Sequence, residues 1–275
     1  MKIMNIVFCA SVAFSPAYAN DNAPLVSEIS RIENTQSSHR YQKDAELQAL
    51  ISSVTNSEDM GRVYYALAHN IYSAGSEYSQ VEKSNRYEKI IAYSEEACKY
   101  PLNPLDQCEL YSYLYSALRG KYNIGRSSQY VDQRSEMVVP ALRGLKVVSE
   151  YLTIKEKQPR IKGFVYNGDG DTNSALYRQK MSEMNALIEQ QNQIIFQNKL
   201  LEYRDKFFSW VIDLYSQPPD ALSELDKLAS NIIGHPATIV ELLDETRYAR
   251  ERFVPNVQSN TNKPAPRRDM PPSID

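Results

Sequence analysis

The sequence predicts an all-α fold, and three observations lead there. Apolar residues recur at three- and four-residue spacing through most of the chain. Glycine is scarce, 9 in 275 residues, which leaves little for phosphate-cradling loops or turn-rich β architecture. Proline, asparagine and glycine punctuate the periodic runs where helices would start or stop.

Residues 1–19, "MKIMNIVFCASVAFSPAYA", have the grammar of a secretory signal peptide. Lys2 gives a basic start, an apolar run follows, and Ala17-Tyr18-Ala19 is a small-x-small cleavage site. The run is too short for a membrane span, which needs about 20 apolar residues. The expected localisation is therefore periplasmic or secreted, with no integral membrane segment in the mature chain. A net charge of −3 gives no basic face for nucleic acid.

The first clear helix opens at "NSEDMG", with Asn56 or Ser57 as N-cap and acids in the first turn. Val63, Tyr64, Leu67, Ala68 and Ile71 then recur at helical spacing, and Gly75 supplies a stop. After a loop, Tyr87, Ile90, Ile91, Ser94, Ala97 and Cys98 share a second helical face that ends at Pro101. Asn103 followed by Pro104 starts the next helix, since proline at the first helical position has no amide hydrogen to waste. Leu110, Leu114, Ala117 and Leu118 form its stripe up to Gly120.

Residues 127–152 read as a further helix, kinked or broken at Pro140. Residues 154–172 form an irregular linker and a candidate domain boundary, separating residues 20–153 from residues 173–253. The latter open with a long helix, 173–215, in which Tyr177, Met181, Met184, Ile188 and Ile195 keep 4-3 spacing while Gln191 fills the intervening slot. Two shorter helices follow, 219–233 and 236–253, and a proline-rich polar tail, 254–275, is expected to be disordered.

The paired helices of residues 57–152 resemble tetratricopeptide repeats. Tyr64, Leu67, Ala68 and Ile71 fill the large-x2-Leu-small-x2-large slots of the first helix, and Ala97 the later small slot of the second. Departures are visible. Ile90 stands where a small residue is usual, Ser94 replaces an aromatic, and Tyr115 fills a small slot. Leu67 and Leu114 are 47 residues apart, where the family's period is about 34. The resemblance implies helical hairpins, here followed by a long helix and a short bundle, whose concave face holds a peptide.

Little in the chain points to catalysis. No H-E-x-x-H, G-x-S-x-G or P-loop pattern occurs. Of three histidines, His39 lies in a polar stretch, His235 in a turn, and His69 between stripe residues. In "NGDGDTN", Asp169, Asp171 and Asn173 alternate as in a calcium loop. However, Ser174 and Lys180 occupy the positions where that loop needs glycine and glutamate, so the stretch reads as a capping turn. No metal site and no cofactor are expected.

Cys98 and Cys108 flank a tight turn between antiparallel helices, and an exported protein meets an oxidising space. The pair is expected to form a structural disulfide. Nine intervening residues do not suit a redox motif, and a zinc site lacks ligands. Twelve of the 20 tyrosines fall between Tyr64 and Tyr130. Tyr111, Tyr113 and Tyr115 alternate along one helix, so they cannot all face one core, and they are the candidate binding residues. The expected function is a non-enzymatic binding or scaffold protein of the cell envelope that holds a protein segment. Two alternatives stand beside it: an exported enzyme acting on a glycan or small molecule with Tyr and Asp/Glu, and a coiled-coil assembly protein acting through residues 173–215.

Overall fold

A computed structural model describes residues 23–35, 40–74, 80–123, 133–161, 175–215 and 221–233. Among the described residues the chain forms eight α-helices and no strand, so the fold is all-α. They are α1 (Ala23–Glu33), α2 (Arg40–Ile51), α3 (Ser57–Ser73), α4 (Gln80–Ala97), α5 (Pro104–Asn123), α6 (Arg134–Tyr151), α7 (Ala175–Tyr215) and α8 (Ala221–Ile233). From α1 to α7 each helix packs on the next, and alternate helices also meet: α1 with α3, α3 with α5, and α5 with α7. Those four helices therefore share a row.

Local chemistry fixes where α3 and α5 begin. Asn56 Oδ1 accepts the amide of Asp59 at 2.8 Å, and Asn103 Oδ1 accepts that of Asp106 at 2.9 Å. Each asparagine amide also donates to the aspartate carboxylate of its own turn. The two Asn-x-x-Asp boxes, Asn56–Asp59 and Asn103–Asp106, carry the same 47-residue offset as Leu67 and Leu114. At the other end of α3, Arg86 is buried and donates to the carbonyls of Ile71 (3.1 Å) and Tyr72 (2.7 Å). A cation is well placed there, because the last carbonyls of a helix lack partners and carry partial negative charge.

The core is a chain of three clusters rather than a single centre. Ile29 and Ile32 of α1, Leu47 of α2 and Val63, Ala66 and Leu67 of α3 form the first. Ala68 and Ile71 of α3, Ile90 and Ala97 of α4, and Leu110, Tyr113 and Ala117 of α5 form the second. The third draws Cys108, Tyr115 and Leu118 of α5 together with Met137 and Leu142 of α6, Leu200 and Phe207 of α7, and Leu225 of α8. Helices α3 and α5 each serve two clusters, so cohesion passes from neighbour to neighbour along the row. The third cluster also crosses residues 152–161 in sequence, joining the helices on either side of them.

Several boundaries differ from expectation. Helices α1 and α2 lie in a stretch where sequence periodicity marked no helix. Helix α4 begins at Gln80, well before Tyr87, which places Arg86 inside the helix with its guanidinium on the end of α3. Helix α6 runs through Pro140 instead of breaking there. An interior proline costs about 3 kcal/mol, but Met137, Val138, Ala141 and Leu142 around it are all buried in the third cluster. Met137, Val138 and Leu142 each contribute roughly 1.5–3 kcal/mol on full burial, enough to outweigh the lost hydrogen bond. Gly144 of the same helix meets the Phe207 ring so closely that a Cβ there would lie 2.3 Å from a ring carbon.

Helix α7 has 41 residues, about 60 Å if straight. Its buried residues start only at Gln197. In the preceding half, Leu176 and Ile188 are 56% and 50% exposed. The expected signal peptide, the 236–253 helix and the 254–275 tail lie outside the described residues, as do His39, His235 and the 167–173 capping turn. No described helix is long and apolar enough to cross a membrane.

Candidate functional site

The three candidate tyrosines go to three different environments. At 100° per residue, Tyr111 and Tyr113 point to nearly opposite sides of α5, and Tyr115 turns toward α7. Tyr115 is 1% exposed and stacks on Trp210 with ring centroids 4.0 Å apart. It is a core residue. Tyr111 lines an open groove of about 490 Å³ with Gln107, Arg143, Lys146, Glu150 and Ile232. Tyr113, 3% exposed, enters a polar network on the shared row of helices.

The disulfide expectation is corrected. Cys98 and Cys108 are separate thiols. Cys98 packs at the edge of the second cluster, whereas Cys108 is wholly buried in the third. The turn does bring the helices together, but α5 presents Cys108 to a different layer from the one that Cys98 joins. Burial pushes the Cys98 thiol up to about 11 and the Cys108 thiol up to about 12. Neither has the lowered pKa of a reactive cysteine.

Around Tyr113 the polar groups of α3 and α5 converge. Tyr65 Oη donates to Glu109 Oε2 at 2.6 Å, and Tyr113 Oη donates to Glu109 Oε1 at 2.6 Å. His69 Nδ1 lies 2.6 Å from the Tyr113 hydroxyl, and its Nε2 lies 3.3 Å from Ser73 Oγ. A phenol has one proton, and Tyr113 spends it on the carboxylate. His69 must therefore donate through Nδ1–H, which leaves Nε2 to accept from Ser73 when the ring is neutral. The chain of donors runs Ser73, His69, Tyr113, Glu109, with Tyr65 closing on the same carboxylate from the other side. Tyr72 stacks on Tyr113 at 4.1 Å and fixes its ring.

More charge gathers at the rim. Burial, with Glu109 nearby, pushes the Asp106 carboxyl up to about 7. Burial also raises Glu33, at the end of α1, which faces His69 and Glu109. From α7, Lys206 donates to Ser112 Oγ at 2.5 Å and its ammonium lies 5.0 Å from the Trp210 ring centre. Burial lowers its pKa, and Glu109 opposes that shift. Tyr65, Tyr113 and Tyr203 all have phenols raised by burial and by neighbouring acids. They stay protonated near neutral pH and act as donors, not as bases. One face thus carries three carboxyl groups, from Glu33, Asp106 and Glu109, with Lys43 acting on Glu33, Arg62 on Asp106 and Lys206 beside Glu109.

Of these residues Tyr113 stands among the sequence candidates and His69 among the histidines weighed there, but Glu33, Tyr65, Asp106, Glu109 and Lys206 do not. A signal was present in spacing. Tyr65, His69 and Tyr72 stand at i, i+4 and i+7, and Asp106, Glu109 and Tyr113 at i, i+3 and i+7. Each is a polar or aromatic stripe beside an apolar one. Among the described residues no group of His, Cys, Asp and Glu is arranged to hold a metal ion. Comparison with protein-family models, with curated proteins and with solved structures found no match for this chain.

Proposed function

We propose that the chain is an exported, non-enzymatic scaffold of the cell envelope that holds a basic protein segment on the face shared by α1, α3, α5 and α7. The observation that carries this reading is the convergence of Glu33, Asp106 and Glu109 with the tyrosines of α3 and α5. Carboxyl groups held partly out of water favour the approach of a lysine or arginine side chain, which restores part of the solvation they have lost. Tyr65, half-buried, adds contact area with its ring already held by the bond to Glu109, so little entropy is lost on binding. Export rests on the signal-like residues 1–19, and peptide holding agrees with the resemblance to tetratricopeptide repeats.

Affinity capture of the mature protein from its own envelope extract, with mass-spectrometric identification, tests the reading. The expected result is a protein partner whose binding region is basic and whose retention weakens with salt, since partly exposed ion pairs are screened over about 10 Å at 0.1 M. Recovery of no protein, or only of partners with acidic, salt-insensitive contacts, would overturn it.

A second reading has one specific observation behind it. Asp106, with a pKa of about 7 beside Glu109, has the form of a general acid–base carboxyl. Hydrolysis of a glycan or small molecule that is lost in Asp106→Asn would favour the enzyme.

A further inference from the structure

The non-helical chain that follows α6 is held to α7 almost wholly through its backbone. Gln197, 9% exposed, takes the amide of Thr153 on its carbonyl oxygen (2.8 Å) and gives its amide hydrogen to the carbonyl of Tyr151 (3.0 Å). Asn198 does the same for one residue, accepting from Gln158 N and donating to Gln158 O, each at 2.9 Å. Gln191 Oε1 accepts the amide of Ile161 at 2.6 Å. This accounts for glutamine in the slot where the 4-3 pattern of α7 asks for an apolar residue.

Three carboxamides on one helix thus satisfy the peptide groups of a passing chain, as a neighbouring strand would. Such contacts read backbone, not side chains. The side chains of residues 155–160 are all exposed, and among the described residues the one side-chain pair, Lys157 with Glu202 at 2.9 Å, is at the surface. Such a pair contributes about 0–1 kcal/mol. Little apolar burial therefore anchors the stretch beyond Ile154. What keeps it in place is the tether, which supplies an effective concentration on the order of millimolar.

We propose that Gln191 and Asn198 form a docking row for an open peptide backbone, occupied by residues 155–161 of the same chain and vacated to a partner segment that makes the same backbone contacts. Exposed Ile188, one turn from Gln191, offers such a partner an apolar contact. The inference goes beyond the scaffold reading by naming a second place and a different mode for holding a segment, and it involves neither Asp106 nor Glu109.

The test uses the full-length chain and a fluorescent synthetic peptide with the sequence of residues 150–163. In the double variant Gln158→Pro and Ile161→Pro both amides that face the row are gone, so the resident segment keeps only one of its three hydrogen bonds to the row, the Gln158 carbonyl on Asn198. Fluorescence anisotropy should show the peptide binding this variant at least about tenfold more tightly than the parent, about 1.4 kcal/mol. Adding Asn198→Ala should abolish the gain. A cooperatively folded double variant that binds no better than the parent would overturn the proposal. Should that variant not fold, hydrogen exchange on the parent decides. The amides of Gln158 and Ile161 should exchange through local opening, independent of dilute denaturant, and exchange only with global unfolding would overturn it. Loss of peptide binding in Glu33→Lys but not in Asn198→Ala would also overturn it, while leaving the acidic face as the binding site.

Discussion

Tyr65 and Glu109 stand 44 residues apart in sequence and are joined by a 2.6 Å hydrogen bond that ties α3 to α5 across the shared row. Tyr113 reaches the same carboxylate from within α5, so one glutamate is held by two phenols. The acid at the centre of the proposed binding face is therefore also a structural joint.

Its contribution is measurable. Tyr113→Phe leaves Glu109 with one phenol and His69 without its acceptor, and the cost of unpaired buried polar groups is about 1–3 kcal/mol. Chemical denaturation of Tyr113→Phe, Tyr65→Phe and the double variant should show a coupling energy of about 0.5 kcal/mol or more. Additive effects would mean that the two phenols do not share the carboxylate.

Asp106 sets a pH dependence. Its folded pKa is about 7, raised from the ordinary carboxylate range by burial. The folded chain then binds a proton that the unfolded chain has released, so this group's stabilising contribution is full below about pH 4 and is lost as pH rises through about 7. Asp106→Asn imitates the protonated acid and keeps the amide bond to Asn103. Melting curves between pH 5 and 8 should show a smaller decline for the variant than for the parent. An equal or steeper decline would remove Asp106 as the cause.

Gly144 marks the closest approach of α6 to Phe207. A methyl group there must push an aromatic ring within the third cluster, and overpacking of this kind costs about 1–3 kcal/mol. Gly144→Ala should therefore lower stability in denaturant titrations. Gly144→Ala combined with Phe207→Leu should recover part of the loss, whereas no loss in the single variant would show that the ring moves freely.

Both cysteines should be thiols in the folded protein. Alkylation after denaturation, without reductant, should label Cys98 and Cys108 together. In the native state both should react slowly, because burial holds them near pKa 11 and 12. A product two hydrogens lighter and unreactive to alkylation would restore the disulfide.

Much of the helical architecture was legible because it rests on local rules. The Asn103-Pro104 start, the apolar stripe of Leu110, Leu114, Ala117 and Leu118, and the long helix ending at Tyr215 follow from capping and periodicity. Pro140 does not break α6, because its cost is local while its compensation, burial among Met137, Val138 and Leu142, is tertiary. The cysteines were misread for a related reason: sequence distance gives the turn but not the layer each side chain joins. The candidate site was legible only in part. Alternation along α5 said that Tyr111, Tyr113 and Tyr115 must diverge, which they do, but not which of them would meet Glu109. That depends on Tyr65 and His69 of another helix.

The most direct test of the central claim compares the two faces of α5. Once a partner is captured, its affinity should be measured for the parent, for Glu33→Lys on the acidic face, and for Lys146→Glu in the groove beside Tyr111, each with a melting curve. The account predicts a loss of at least about tenfold for Glu33→Lys, about 1.4 kcal/mol, and no change for Lys146→Glu. Unchanged binding in a folded Glu33→Lys variant together with a tenfold loss in Lys146→Glu would contradict it and place the partner on the opposite side of the row.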